Sequence, residues 1–214
     1  MQLIGMLDSP YVRRVAVALT AAKVPFEHKP ISLFRHIDAF TKINPLLKAP
    51  TLVLDDGTVL MESSVILEEL SAAFPRVAAA PTSRAERVRA ARIVGVALTV
   101  MEKAVQRHYE RALRPAEKAH ESWIARVLGQ LNSGLAALDA DLPRADWTNG
   151  EELGLADITA ACAGTFAQRM MLPEDADFGR YPNLTDFCAR AEALPVFRAA
   201  PPADGVTAPL AIAD

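Results

Sequence analysis

The chain has 214 residues, room for one large or two small domains at about 150 residues each. Apolar residues make up 51% and charged residues 23%, a balance that buries a core and sets intrinsic disorder aside. With 23 basic against 26 acidic side chains the net charge is −3, which leaves no surplus to neutralise a phosphate backbone and argues against nucleic acid as a partner.

Two cysteines, Cys162 and Cys188, are too few for a disulfide scaffold and form no Cys-x-x-Cys pair, so a reducing cytoplasm is expected. The amino-terminal residues carry no basic leader, and no apolar run approaches the ~18 residues of a membrane span, so neither export by that route nor membrane insertion is expected.

In chain order, Gln2 to Met6 reads as a short strand and Ser9-Pro10 as the start of a helix that places Val12, Val15, Ala16 and Leu19 on one face. Phe26 to Ile31 reads as a second strand, Ile37 to Ile43 as a short helix, and Asn44-Pro45 as its stop. Thr51 to Leu54 and Thr58 to Met61 flank Asp55-Asp56-Gly57, the turn chemistry of a tight hairpin. Ser63 to Ala73 then closes the half as a helix with Val65, Ile66, Glu69 and Leu70 near one face. This order makes a small mixed sheet with helices on both faces over residues 1–75.

The segment 76–82 is bracketed by Pro75 and Pro81 and reads as an extended linker. Residues 83–198 read as helices at about Ser83 to Arg114, Pro115 to Leu142, Leu155 to Met171 and Asn183 to Ala193. Trp123, Val127, Leu131, Leu135, Leu138 and Leu142 supply the apolar stripe of a helical bundle. Residues 199–214 form an Ala/Pro-rich tail, expected to fray or pack loosely.

Three places in the first half bear chemistry. Ser9 follows a strand and precedes a helix, with Pro10 where proline suits the first helical turn. Its plain reading is an N-cap, yet a hydroxyl beside free helix-end N–H groups is also a site for an anion such as a thiolate. Glu62-Ser63-Ser64 repeats the pattern, pairing a carboxylate for an ammonium with a helix start for a carboxylate, the two halves of a free amino-acid head group. Pro50, after Lys48-Ala49, cannot donate to a sheet and marks an edge, a bulge or a cis turn.

Ser9-Pro10-Tyr11-Val12-Arg13-Arg14, Asn44-Pro45-Leu46-Leu47-Lys48-Ala49-Pro50 and Glu62-Ser63 together resemble the glutathione-binding half of serine-type glutathione transferases. Gly154-Leu155-Ala156-Asp157-Ile158 and Tyr181-Pro182-Asn183-Leu184 resemble the helical half of the same family, so the resemblance covers about residues 1 to 197. It implies a thioredoxin-like α/β domain with a mixed four-stranded sheet, followed by an all-α bundle. It also implies glutathione as co-substrate, no metal, and a homodimer.

On that resemblance Ser9 donates a hydrogen bond to the glutathione sulfur, Ala49 pairs its backbone with the cysteinyl segment beside a cis Pro50, and Glu62 and Ser63 hold the γ-glutamyl end. Lys48 reaches the glycine carboxylate. Arg35 and His36 are candidate helpers or solvated surface, and Arg13 adds positive potential or is a surface arginine. Three departures stand out: Leu47 where the family often has glycine, Ala49 for a common valine, and Gly154 for a serine or threonine cap, which leaves Asp157 to satisfy that helix start.

For a second substrate the candidates are Tyr11 and the segment Met101, Val105, His108, Tyr109 and Arg111, with His108 and Tyr109 foremost. Core packing is the alternative for any of them. The cysteines lie in Ala-rich helices and read as buried, inert thiols. The expected function is transfer of glutathione sulfur to an electrophilic, mostly apolar small molecule. The alternatives are a non-catalytic glutathione-binding or interaction protein, or a glutathione-dependent isomerase, dehalogenase or peroxidase.

Overall fold

A computed structural model describes residues 1–78, 81 and 83–202. The chain divides into two units, Met1–Ala79 joined by the segment from Leu194, and Ala80–Ala193.

The first unit opens β1 (Gln2–Ile4), α1 (Pro10–Ala21), β2 (Glu27–Lys29) and continues α2 (Ile37–Ile43), β3 (Thr51–Val53), β4 (Val59–Met61) and α3 (Ser63–Ala73). The four strands lie in the order β2-β1-β3-β4, with β1 parallel to β2 and antiparallel to β3, and β3 antiparallel to β4. This is the mixed four-stranded sheet of the expected thioredoxin-like domain. The strands, three residues each, are shorter than the sequence pattern predicts. The hairpin turn holds Gly57 at φ 86, the region where glycine meets no Cβ penalty.

Helix α1 buries nine of its twelve residues, Val12, Val15 and Leu19 among them, and with Leu3, Ile4, Leu52, Ile66 and Leu70 it forms the core of this unit. On α3 the buried face is Ser63, Ile66, Leu67 and Leu70, whereas Val65 and Glu69 are exposed. The buried face is thus rotated from the expected one, with Leu67 buried in place of the expected Val65.

Pro75–Ala78 is a turn of 3-10 helix rather than extended linker, closed by the Val77 N–H on the Phe74 carbonyl at 2.9 Å, and Val77 is buried. Of the predicted linker, residues 79, 80 and 82 lie outside the described residues, as do 203–214 of the tail. Of the described part of the tail, Ala200 is buried, whereas Ala199 and Pro201 are exposed. Arg13 is 2% exposed, so it is not a surface arginine. Its Nε donates to the Ala200 carbonyl at 2.8 Å, and its guanidinium lies 5.4 Å over the Phe197 ring. That draws the short helix α8 (Pro195–Arg198), read from sequence as part of the helical half, against α1 of the first unit.

The second unit holds α4 (Arg84–Ala112), α5 (Glu121–Asp141), α6 (Leu155–Met170) and α7 (Pro182–Glu192). The start of α5 comes later than predicted because Ala116–Lys118 forms a separate 3-10 turn after Pro115. From Val127 to Leu142 the predicted stripe is buried, while Trp123 is 41% exposed. Helix α6 is buried continuously from Ala156 to Ala167, and a Cβ on Gly164 would strike the Cys188 sulfur, so glycine sets how closely α6 and α7 approach.

Gly154 caps α6 with backbone alone, and Asp157, fully buried, takes the Gly154 N–H at 2.8 Å and the Thr148 N–H and hydroxyl at 2.8 Å each. Burial pushes its carboxyl above the ordinary range against the pull of those bonds. Among the described residues no helix is long and apolar enough to cross a membrane, and no cluster of three or more His, Cys, Asp or Glu could hold a metal ion.

Burial pushes the Cys188 thiol up to about 12. Thiolate is then present at about one part in ten thousand at pH 8. Iodoacetamide is therefore expected to leave Cys188 unmodified in the folded protein at pH 8 and to label it in denaturant. Mass-spectrometric detection of rapid native labelling at Cys188 would contradict this.

Candidate glutathione site

Register gathers the site. Ile4, the last residue of β1, pairs with Lys29 at the end of β2 and with Thr51 at the start of β3, and Thr51 pairs with Met61 at the end of β4. These residues form one row across the sheet. The segments carrying Ser9, Lys48-Ala49-Pro50 and Glu62-Ser63 therefore all leave the sheet at the same edge, within the first unit.

Ser9 is the N-cap of α1 (φ −68, ψ 121), followed by Pro10. Its Oγ accepts from the Val12 N–H at 3.4 Å, a long and weak cap, and its hydroxyl proton is not used in that bond. The N-cap reading of Ser9 is thus observed, and the hydroxyl proton lies at the positive end of the helix.

Ala49 is half-buried, and the Ala49–Pro50 peptide is cis. The loop before it is braced by Asn44, 1% exposed, whose Nδ2 donates to Thr51 Oγ1 at 2.8 Å and whose Oδ1 takes the Leu46 N–H at 3.0 Å. Thr51 Oγ1 in turn donates to the Lys48 carbonyl at 2.6 Å. Leu47 sits at φ 48, the left-handed region glycine prefers, so the bracing lets leucine stand there despite a cost of about 1–2 kcal/mol. The Lys48 side chain is exposed.

Glu62 caps α3 at φ 71, ψ 121, a conformation that strains a non-glycine residue by roughly 1–3 kcal/mol. Its carboxylate is held from two sides: Oε2 takes the Ser64 N–H at 3.1 Å and Oε1 takes the Ser63 hydroxyl at 3.3 Å. Ser63 is 1% exposed. Beneath it lies Arg14, also 1% exposed, whose Nη1 donates to Ser63 Oγ at 3.0 Å and to Ser64 Oγ at 3.3 Å. Sequence reasoning passed over Arg14 because an arginine on a helix reads as surface; only its phase, on the face toward α3, betrays it.

Gly5 was likewise missed. It sits at φ 136 after β1 and donates to the Lys29 carbonyl at 3.1 Å, and a Cβ there would stand 2.7 Å from Val12 Cγ2 and 3.2 Å from Ala49 Cβ. The carbonyl of Gly5 lies 2.8 Å from His28 Nε2. Close approach of β1, α1 and the Ala49 turn thus depends on glycine.

Of the remaining candidates, Arg35 and His36 are exposed, Arg35 Nη2 lying 3.9 Å from Met6 Sδ and His36 Nδ1 taking the Ser32 N–H at 3.1 Å. Tyr11, half-buried, is on α1 in the first unit. His108 and Tyr109 belong to α4 in the second, their ring centroids 6.0 Å apart. On the same helix Met101 is fully buried core, and Arg111 is tied with Arg107 to the buried Asp175 at 3.2 and 2.7 Å, so neither is free for a ligand.

Comparison with known proteins agrees with this arrangement. Residues 3–92 match the family model described as glutathione S-transferase, N-terminal domain, and residues 121–190 the one described as glutathione S-transferase, C-terminal domain. A crystal structure of a glutathione S-transferase from Methylobacterium radiotolerans, in complex with glutathione sulfonate, superposes with a TM-score of 0.83 at 30% identity over 93% of each chain. Maleylacetoacetate isomerase of Pseudomonas aeruginosa is 29% identical over 206 residues, covering 92% of this chain and 94% of that one. Glutathione S-transferase 1 of Dianthus caryophyllus is 32% identical over 170 residues, 75% of this chain and 74% of its own.

Replacing Gly5 with Ala is expected to lower stability by about 2 kcal/mol or more, from left-handed strain and displacement of Val12. Urea unfolding measures it; a change below about 0.5 kcal/mol would show that the close approach is dispensable.

Proposed function

The chain belongs to the glutathione S-transferase family, and from that premise we propose that it transfers the glutathione thiolate to electrophilic, mostly apolar small molecules. The observation that carries this is the single sheet edge that gathers Ser9, the Ala49–Pro50 turn and the Glu62 cap. Glu62 takes the ligand ammonium, the α3 N-terminus with Ser63 takes the neighbouring carboxylate, and the Ala49 backbone pairs with the cysteinyl segment. Lys48, exposed beside that turn, reaches the glycine carboxylate, and Tyr11 flanks the electrophile. The enzyme works as a cytoplasmic homodimer, which sedimentation tests; both cysteines are free, as a reducing compartment allows.

A serine hydroxyl is too weak a base to deprotonate a thiol, so Ser9 acts by donating to sulfur already ionised. Lowering the bound thiol from about 8.5 to about 6.5 raises thiolate at pH 7 roughly twenty-five-fold, while a Brønsted slope near 0.45 costs roughly eight-fold in nucleophilicity. Ionisation thus gains only a few-fold. Holding the electrophile beside sulfur must supply most of the acceleration.

A second reading, glutathione-dependent isomerisation, is favoured by the similarity to maleylacetoacetate isomerase. The same thiolate then adds to a carbon of a conjugated cis double bond, the resulting single bond rotates, and the thiolate is expelled as the double bond re-forms. Glutathione is consumed in transfer and regenerated in isomerisation. Titrating free thiol during turnover of halide, epoxide and enone panels therefore separates the two readings: stoichiometric loss is expected for transfer. Normal folding with no glutathione-dependent turnover of any panel member would defeat both.

Changing Ser9 to Ala is expected to abolish the ultraviolet thiolate absorbance of bound glutathione while changing its Kd by less than about threefold. Unchanged absorbance would remove Ser9 from this role.

A further inference from the structure

We propose that Arg14 is a positioning residue of the glutathione site, one that sets the Ser63 hydroxyl and through it the Glu62 carboxylate for a zwitterionic head group. This rests on the reading of Glu62 and Ser63 as the γ-glutamyl subsite.

The argument begins with proton accounting. A guanidinium has donors only and keeps its charge at any pH the protein meets. Arg14 Nη1 faces Ser63 Oγ at 3.0 Å and Ser64 Oγ at 3.3 Å, so both hydroxyls must accept there. A serine that accepts from one side turns its proton to another acceptor, and for Ser63 that acceptor is Glu62 Oε1 at 3.3 Å. The chain of donation therefore runs Arg14 to Ser63 to Glu62. Its direction is fixed at the guanidinium end, and it leaves Glu62 as an acceptor-only carboxylate.

Geometry adds a second effect. Arg14 is fully buried on α1, and its Nη1 lies under the first turn of α3, where the helix end already carries partial positive charge. A buried cation and a helix N-terminus together favour a ligand carboxylate at that turn. Glu62, held in its strained conformation by Ser63 and Ser64, supplies the negative partner for the adjacent ammonium. Opposite charges a few ångströms apart read a head group that carries both. A lysine at 14 would keep the charge, but its shorter side chain and compact ammonium would not place a donor where Arg14 Nη1 serves both hydroxyls.

This role separates from a merely structural staple between α1 and α3. Loosening the staple would weaken every ligand of the site alike. Mispositioning Glu62 and Ser63 weakens only ligands with a γ-glutamyl group.

Calorimetric titration of the full chain with glutathione and with the dipeptide Cys-Gly tests it. Arg14→Lys and Arg14→Met are expected to raise the Kd for glutathione about tenfold or more, and Cys-Gly by less than about twofold. Since a buried arginine variant can fail to fold, Ser63→Ala provides an independent arm: it leaves Arg14 in place, breaks the donation chain, and is expected to shift the same ratio in the same direction. Parallel weakening of both ligands in the Arg14 variants, or an unchanged ratio in Ser63→Ala, would overturn the proposal. A wild-type chain that does not bind glutathione would overturn the underlying reading at the first titration. Wild-type binding with an unmoved ratio in the variants would overturn the role of Arg14 alone.

Discussion

Everything at the site depends on one row of residues across the sheet, Lys29, Ile4, Thr51 and Met61. A slip of one residue in any pairing would turn that strand's side chains to the opposite face and move its loop by more than 3 Å along the strand. Three-residue strands contribute few ladder bonds of their own, so the register is held from outside the ladder. Helix α1 does much of this, since it is nearly immersed and packs on α3 as well as on β1. Glycine at position 5 permits the tight turn between that strand and that helix.

Two consecutive arginines on α1 show how burial assigns different work to like residues. Arg13 reaches the carbonyls of Ala200 and Phe197 and ties the chain's last described segment to the first unit. Arg14 points to the start of α3 and meets the hydroxyls of Ser63 and Ser64. Burying a guanidinium is costly unless donors find partners, and each of these arginines gives hydrogen bonds to oxygen, Arg13 to two carbonyls and Arg14 to two serine hydroxyls. In contrast, the Ser9 cap bond is long at 3.4 Å, and the hydroxyl proton takes no part in it.

Among the described residues three non-glycines take positive φ: Lys23 just past the end of α1, and Leu47 and Glu62 where ligand binding is proposed. Each of the latter two is held by neighbouring hydrogen bonds: Asn44 and Thr51 brace the first, Ser63 and Ser64 the second. Such conformations persist only where surrounding structure over-determines them, and pre-organisation of a binding surface is a physical reason to keep them. The same logic applies in the second unit to Asp157, where three donors converge on a carboxylate whose burial would otherwise be unfavourable.

Much of this was legible in the sequence. Apolar periodicity and turn residues located all four strands and the main helices, Ser9-Pro10 and Glu62-Ser63 marked two helix starts, and Gly154 with Asp157 marked a third. These are local signals, written within a few residues by capping, propensity and alternation. What only the tertiary structure decided was long-range: that Arg13 and Arg14 are interior, that Leu67 and not Val65 is buried, that Pro75–Ala78 curls into a turn, and that the segment from Leu194 returns to the first unit. Pairings 49 and 187 residues apart, Arg14 with Ser63 and Arg13 with Ala200, leave no mark on the pattern around either partner. A charged side chain's burial depends on which carbonyl or hydroxyl folding brings to it, and that is settled by packing rather than by its neighbours in the chain.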